Sequence, residues 1–109
     1  MGLQVESTVK FARIDATADG DNEIVAAVAG KSIRVLGYAL SVSAAGLISL
    51  QDTAGTPVVH GQFDLADNGV VSYAGGINAP AFETAEGEGV EIENPAGVDT
   101  LGHMTYVEV

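Results

Sequence analysis

Residues 32–43 read Ser-Ile-Arg-Val-Leu-Gly-Tyr-Ala-Leu-Ser-Val-Ser, the longest extended-type stretch in this chain of 109 residues. Apolar side chains fall on both faces of the strand that this stretch predicts: Leu36, Tyr38, Leu40 and Val42 on one face, and Ile33, Val35 and Ala39 on the other. Such a pattern predicts a central strand that is covered on both sides. Gly37 lies in its middle and predicts a bulge or a close backbone approach.

Shorter strand patterns flank this stretch on both sides, separated by turn signals. They predict strands at residues 9–14, 23–28, 46–50, 58–65, 70–73, 81–84, 90–93 and 101–109. Asp67-Asn68-Gly69 predicts a hairpin turn, because Asn-Gly tolerates positive φ angles. Residues 24–29 are rich in alanine, but their β-branched ends and flanking glycines favour a strand over a helix. Eight or nine short strands predict an all-β, antiparallel β-sandwich that is jelly-roll-like.

The length predicts one domain. We place the β-sandwich at residues 13–109 and an N-terminal arm or first strand at residues 1–12. Hydrophobic residues make up 47% of the chain and charged residues 17%, against about 25% charged in a typical domain. This balance predicts apolar surface that other subunits cover, the alternative being a surface of small, weakly polar residues. With no cysteine, the chain can form neither disulfides nor thiolate metal sites.

The net charge of −11 is unevenly distributed along the chain. All four basic residues lie within residues 1–34, whereas residues 35–109 carry ten acids and no base. Nucleic acids and anionic membranes both attract basic patches, so we expect neither as a partner. The first six residues lack the basic and apolar regions of a secretion signal, and residues 35–50 are too short and too polar to span a bilayer.

No catalytic motif is found in the sequence, and we expect a protein that is not an enzyme and needs no cofactor. The two histidines, His60 and His103, lie on different predicted strands without a carboxylate at ligand spacing. We interpret them as strand histidines at a surface or an interface. The two imidazoles would approach each other only if their strands pair.

Two groups of acidic residues invite a metal or an acid–base interpretation. The oxygen-rich segment Asp15, Asp19, Asp21, Asn22 and Glu23 offers ligands of the kind calcium takes, but it lacks the spacing of a helix–loop–helix site. We therefore expect turn residues and no metal. The second group could supply an acid and a base, but we expect it to form a solvated strand face; it comprises Glu83, Glu86, Glu88, Glu91 and Glu93.

Residues 18–40 read Ala-Asp-Gly-Asp-Asn-Glu-Ile-Val-Ala-Ala-Val-Ala-Gly-Lys-Ser-Ile-Arg-Val-Leu-Gly-Tyr-Ala-Leu, and residues 61–69 read Gly-Gln-Phe-Asp-Leu-Ala-Asp-Asn-Gly. With the end Thr-Tyr-Val-Glu-Val at 105–109, these segments resemble the small jelly-roll capsid decoration (cement) and head-fibre proteins of tailed bacteriophages. The resemblance covers residues 14–109. The opening block is its most distinctive part, and the family carries no catalytic residues to transfer.

The resemblance implies a structural protein that binds the outside of an assembled capsid and reinforces it. Its implied partners are further copies of itself, as a homotrimer, and the major capsid protein. Its implied location is the outer capsid surface of the virion, after synthesis in the bacterial cytoplasm. The alternative within the same resemblance is a head-fibre or tail-fibre tip module that binds a host-surface glycan.

Two other classes remain open, each with its own expected signature. A carbohydrate-binding module should have an aromatic face, but the six aromatic residues are scattered along the chain. A small β-sandwich hydrolase or cupin should have clustered histidines, but the two here lie far apart in sequence.

The concentration of basic residues near the start of the chain suggests a capsid-binding surface. We hypothesise that residues 1–12 and their neighbours face the capsid, with Val5, Lys10 and Arg13 as contact residues. Lys10 and Arg13 would meet acidic residues of the shell, while the acidic remainder of the chain faces solvent. The alternative is that residues 1–7 form a tail without a role.

Overall fold

The computed structural model describes residues 8–109, which form nine strands and no helix. Their bounds are β1 (Lys10–Ala16), β2 (Gly20–Val25), β3 (Ile33–Val42), β4 (Gly46–Asp52), β5 (Val59–Leu65), β6 (Val70–Ala74), β7 (Phe82–Glu83), β8 (Val90–Asn94) and β9 (Thr100–Glu108). The all-β prediction is confirmed. Nothing in the described part of the chain is a helix with the length and apolar character needed to cross a membrane.

The strands form two antiparallel sheets that enclose one core. Sheet A has the order β1-β9-β3-β6, with the short β7 also paired to β3, and sheet B has the order β2-β8-β4-β5. Every strand pairing is antiparallel, as expected for the predicted sandwich. With β7 set aside, consecutive strands change sheet at every step except β4 to β5.

Alternation along the strands places the core between the two sheets. In β1, Ile14 and Ala16 are buried while Arg13 and Asp15 are exposed, because successive side chains point to opposite faces of a strand. The large buried side chains come from both sheets, and they include Ile14, Leu40 and Met104 from sheet A and Ile48, Leu50 and Ile92 from sheet B. Full burial of each such side chain stabilises the fold by roughly 1.5–3 kcal/mol.

A bulge in β3 corrects one prediction and confirms another. The register of β3 against β9 shifts between Val35 and Gly37, as the central glycine predicts. The shift changes the phase of alternation, so Val35 before it and Leu40 after it both face the core. The prediction of a strand covered on both sides is therefore wrong, because Ala39 on the outer face is only half-buried by the described residues.

The turn at Asp67-Asn68-Gly69 has the predicted backbone but connects different elements. Asn68 has a φ of 59°, which is the positive angle that the Asn-Gly pair predicts. However, β5 belongs to sheet B and β6 to sheet A, so the turn carries the chain between sheets. The predicted hairpin is therefore wrong, because core packing pairs β5 with β4 and β6 with β3 instead.

The second strand begins earlier than its sequence pattern predicts. β2 starts at Gly20, where φ is 83°, and ends at Val25 instead of residue 28. The Asn22 side chain accepts a hydrogen bond from the Ala18 amide at 3.1 Å and donates one to the Ala18 carbonyl at 2.9 Å. These two hydrogen bonds close the turn before Gly20, so the strand can begin at Gly20.

Candidate functional site

The outer face of sheet A presents three rows of side chains that run across the strands. In strand order β1, β9, β3, β6, the rows are Phe11, Thr105, Gly37, Ala74; then Arg13, His103, Ala39, Ser72; then Asp15, Leu101, Ser41, Val70. The nine positions on β9, β3 and β6 contain no Lys, Arg, Asp or Glu. We call these nine residues the uncharged face.

Small side chains on β3 make the uncharged face concave. Gly37, Ala39 and Ser41 lie between larger residues of β9 and β6, so the centre of the sheet is lower than its flanks. Two shallow hollows result, of about 320 Å³ and about 310 Å³, and both are lined by Ala39 and His103. The larger one, which we call the Gly37 hollow, is lined by Gly37, Ala39, Ser72, Ala74, His103 and Thr105 among others.

Large apolar side chains stand exposed beside these hollows. Phe11 on β1 is 76% exposed and Val70 on β6 is 70% exposed, and Leu101 on β9 is also exposed. Single exposed apolar residues are common on monomers. Three on one face, next to hollows and with Asp15 as the only acid in the three rows, are typical of a surface that contacts another protein.

The outer face of sheet B has the opposite character. Asp21 pairs with Glu93 across β2 and β8, and Glu23 pairs with Glu91, so four carboxylates share one surface. Gln51 lies beside them on β4, and its Nε2 donates to Oδ1 of Asp21 at 3.2 Å and to Oε1 of Glu91 at 3.1 Å. One amide thus bridges two carboxylates and partly offsets their repulsion.

Glu91 corrects the expectation of a solvated strand face. Its side chain points outward as predicted but is only 9% exposed, because it lies on β8 between the side chains of β2 and β4. Burial raises the pKa of Glu91, the Gln51 hydrogen bond lowers it, and nearby Asp21, Asp52 and Glu93 raise it further.

The basic residues differ in how they are paired. Lys10 Nζ lies 2.6 Å from Glu108 Oε2, and its pKa is raised by this hydrogen bond and by the charge of the same carboxylate. Arg34 Nε lies 2.7 Å from Glu83 Oε1. Arg13 and Lys31 form no ion pair with any of residues 8–109.

Two of the three predicted capsid-binding residues lie on one strand. Lys10 and Arg13 are both exposed on β1, at the edge of sheet A, and Arg13 stands in the same row as His103 of the uncharged face. Val5 lies outside the described residues. The structure therefore adds a neighbouring neutral, apolar surface that the sequence-based hypothesis did not include.

The two histidines do not meet, because their strands belong to different sheets. His103 is exposed in the middle row of the uncharged face. His60 on β5 stacks on Phe82 with ring centroids 4.7 Å apart, and its Nε2 is buried without a hydrogen bond to the described residues. Burial lowers the pKa of His60, and the charge of Asp52 acts in the opposite direction.

The oxygen-rich segment is divided between two faces. Asp15 lies on the outer face of sheet A, whereas Asp21 and Glu23 lie on that of sheet B. Asp19 accepts a hydrogen bond from the Gly97 amide at 3.1 Å, and Asn22 closes the turn before β2. Within residues 8–109 no three His, Asp or Glu side chains are grouped so that they could hold a metal ion.

Comparison with protein-family models, curated proteins and solved structures gave no match to this chain. The resemblance to phage decoration proteins therefore rests on the three segments quoted above.

Sequence analysis did not predict the uncharged face, because its members come from three separate segments. Its only local signature is the alternation of small residues at Gly37, Ala39 and Ser41.

Proposed function

We propose that this chain is a non-enzymatic structural protein that binds the outside of an assembled phage capsid and reinforces it. The observation that carries the proposal is the charge asymmetry of the sandwich. One outer face bears Asp21, Glu23, Glu91 and Glu93, whereas the other combines the uncharged face with Arg13 of β1 and carries Asp15 as the one acid of its three rows.

This asymmetry favours one orientation of the subunit on a shell. A chain with a net charge of −11 is repelled by other acidic surfaces, so close contact is easiest where its acids are absent. The cores of protein interfaces are depleted in charge and enriched in aromatic residues and arginine. Phe11 and Arg13, adjacent on the outer side of β1, are residues of those types.

Arg13 is the best-placed cation for the shell carboxylates. Lys10 is already paired with Glu108, so its charge is partly satisfied within the chain, whereas Arg13 has no such partner in the described residues. We retain Val5 and the rest of residues 1–7 as part of the proposed capsid contact. A homotrimer would multiply one weak contact by three and raise the avidity without any new contact.

The strand pairing supports a jelly-roll connectivity, as the resemblance implies. With β7 set aside, β4 pairs with β5, β3 with β6, β2 with β8, and β1 with β9. These four pairs are nested, as in one long hairpin that has been rolled up into two sheets. Double-sheet jelly rolls are built from eight strands in two Greek keys, which is the class to which capsid modules often belong.

Co-sedimentation with capsids that lack the protein tests the proposal. We expect the wild-type chain to pellet with them, and the variant without residues 2–8 and the Lys10→Glu, Arg13→Glu double variant to remain in the supernatant. Salt should weaken the binding of the wild type, since exposed charge pairs are screened. Arg13→Glu alone should already lose most of the capsid binding that the double variant loses, because Lys10 is engaged with Glu108.

Lys31→Glu is the matched control, since it reverses one charge that is likewise unpaired among residues 8–109 but lies in the segment between β2 and β3. We expect it to bind capsids as the wild type does. Full binding by the deletion and by both β1 charge variants would rule out this docking surface. A wild-type chain that never pellets with capsids would contradict the proposed function itself.

The alternative is a fibre-tip module that binds a host-surface glycan, and one observation favours it. The Gly37 hollow is lined by the polar side chains of Ser72, His103 and Thr105, and the exposed Phe11 ring stands in the same row as Thr105. A sugar could stack on that ring while the three polar side chains bond its hydroxyls. Binding of the wild type, but not of Phe11→Ala, to host-cell glycans would support this alternative over capsid binding.

A further inference from the structure

We propose that Asp52 and His60 form an acid-sensitive latch, which holds the loop between β4 and β5 against the short strand β7 and opens when His60 takes up a proton. The latch connects the two sheets, because β4 and β5 belong to sheet B and β7 to sheet A. It contains no residue of the uncharged face or of β1, so it does not rest on the proposed capsid binding.

Asp52 ends β4 and fixes the loop that follows. Its Oδ1 accepts hydrogen bonds from the Val58 amide at 3.0 Å and from the Ala54 amide at 3.3 Å, and its own amide donates to the Val58 carbonyl at 3.1 Å. The residue is only 1% exposed, and its Oδ2 is buried without a hydrogen bond to the described residues. The loop therefore closes around a buried carboxyl group.

His60 reaches from the same hairpin to the other sheet. Edge strand β5 carries a β-bulge against β4, and His60 is the bulged residue that has no partner on β4. Its ring stacks on Phe82 of β7, with the two ring planes 8° apart and their centroids separated by 4.7 Å. A neutral imidazole suits this apolar contact, whereas an imidazolium would lose its hydration there.

Asp52 and burial act on His60 in opposite directions. Burial lowers the pKa of His60 and has the larger effect, while the charge of Asp52 raises it. A state in which the latch is open exposes the ring and gives it back its ordinary value of 6.5. The open state thus binds a proton at a higher pH than the closed state does.

The direction of the pH dependence follows from this difference. The closed latch has its full stability above pH 6.5 and loses stability as the pH falls below that value, until the lowered pKa of His60 is passed. Acid therefore favours opening. This is the opposite direction to that expected for Glu91, whose pKa is raised.

The other charged groups near this end of the sandwich are exposed or engaged elsewhere. Glu83 on β7 is paired with Arg34 at 2.7 Å. In the loop between β7 and β8, Glu88 Oε2 accepts a hydrogen bond from Thr53 Oγ1 at 2.9 Å, and Glu86 is exposed. In the described part of the chain, the charge that favours protonation of the latch histidine therefore comes from the β4 carboxylate.

The latch can open locally, because both of its parts lie at the margins of their sheets. β5 is an edge strand of sheet B, and β7 consists of two residues that pair with β3. Elements with few contacts open at a lower free-energy cost than central strands do. We therefore expect acid to release this end while the central pair β3 and β9 stays closed.

Amide hydrogen exchange measures the opening directly, once corrected for the pH dependence of the chemical exchange itself. The amides of Val58, Ala81 and Thr84 donate the hydrogen bonds that hold the loop and β7. We expect their protection in the wild type to fall by up to about 10-fold from about pH 7.5 to about pH 5.5, the limit set by an ordinary pKa of 6.5. The amides that pair β3 with β9 should keep their protection.

Three variants assign the response to the latch. His60→Phe keeps a ring against Phe82 but takes up no proton, so it should abolish the response to acid. Asp52→Asn keeps the Oδ1 acceptor and removes the charge that favours protonation, so the loss of protection should be at least that of the wild type. His103→Gln is the matched control, because it removes the other histidine, which is exposed on sheet A, and should respond as the wild type does.

Several outcomes would overturn the latch. Protection of the Val58, Ala81 and Thr84 amides that stays constant over this pH range in the wild type, or falls equally in His60→Phe, is one. Another is a loss that spreads equally to the amides of β3 and β9, since acid would then unfold the whole sandwich. An NMR titration of His60 in the wild type is independent of any variant, and a pKa at or above 6.5 would also contradict the proposal.

Discussion

Asn94 is a buried side chain that connects the two sheets. Its Nδ2 donates to the Ala16 carbonyl at 2.8 Å, at the end of β1, and its Oδ1 accepts from the Thr100 hydroxyl at 2.7 Å, at the start of β9. Asn94 itself ends β8, in sheet B. A buried polar group stabilises a fold only when it has hydrogen-bond partners, and both the Nδ2 and the Oδ1 of Asn94 have them.

Asn94→Ala should therefore lower the free energy of unfolding by about 3 kcal/mol, because it leaves the Ala16 carbonyl and the Thr100 hydroxyl buried without this partner. Thr100→Val removes only one hydrogen bond and should cost about 1 kcal/mol. Urea unfolding of both variants measures the difference. An Asn94→Ala variant as stable as Thr100→Val would show that the amide does not hold the sheets together.

Glu91 makes the fold sensitive to pH in a defined direction. Its pKa is raised in the folded state, so the folded chain holds the Glu91 proton more tightly than the unfolded chain does. Its contribution to stability is full below the ordinary value of 4.5 and is lost as the pH rises through the raised value. At neutral pH the buried carboxylate is therefore unfavourable.

Glu91→Gln should raise the melting temperature at neutral pH, and this gain should disappear well below pH 4.5. The amide oxygen introduced by this substitution could still accept the hydrogen bond from Gln51, so the geometry is retained. Glu93→Gln is the control, because it removes one charge from an exposed position on the same strand. An equal gain from both variants would indicate general charge repulsion instead of burial.

Single residues in the sequence predicted local backbone well and burial less well. The positive φ of Asn68 and the bulge at Gly37 follow from intrinsic properties of Asn and Gly, which tertiary packing did not override. The burial of Glu91 depends on Gln51, which is 40 positions away in sequence. No local pattern contains that information.

At the level of the strands, the register shift beside Gly37 changes which side chains of β3 face the core. The bulge at Gly37 moves apolar residues from both predicted faces onto the core side. What remains on the outer side is Gly37, Ala39 and Ser41, which form the floor of the hollows. The sequence predicted the strand and its irregularity, but the change of phase becomes visible only with the register against β9.

The packing of β9 on β3 depends on Gly102. A Cβ at this position would overlap the Ala39 carbonyl oxygen and approach the Leu40 Cα at 2.8 Å. Gly102→Ala should therefore destabilise the protein by about 3 kcal/mol, at the upper end of the cost of overpacking. Gly55→Ala is the control, since a Cβ there meets nothing within 4 Å. Thermal unfolding that shows equal stability for the two variants would contradict this close approach.

The order of strands was the part least accessible to sequence analysis. The Asn-Gly pair predicts a tight reversal of the chain direction. The local backbone of such a turn is the same whether the two strands it joins pair in one sheet or belong to different sheets. Which one occurs is decided by β4 and β3, which pair with β5 and β6 through contacts distant in sequence. The fold class was predictable from strand count and alternation, whereas the topology required the structure.

For the whole molecule, the division of acids between two faces argues against a shared calcium site. Asp15 lies on one face and Asp21 and Glu23 on the other, so the segment offers no single cage for a cation. We expect millimolar calcium to leave the melting temperature unchanged. A clear rise with calcium that is absent with magnesium would show that these carboxylates do bind the ion together.

The same division of charge underlies the account of function. Low charge content predicted that some face would be covered by other subunits, and we propose the uncharged face of sheet A as that surface. Which residues form it was not predictable, because three segments contribute and their register is set by pairing of β9, β3 and β6.

The most direct test of this account is the sedimentation of the labelled chain, alone and mixed with capsids that lack it. We predict a free species of three times the 11.1 kDa chain mass, which moves to the position of the shell on mixing. A species of 11.1 kDa at every concentration, which stays free in the presence of capsids, would contradict the claim that this protein acts by assembling with other protein subunits.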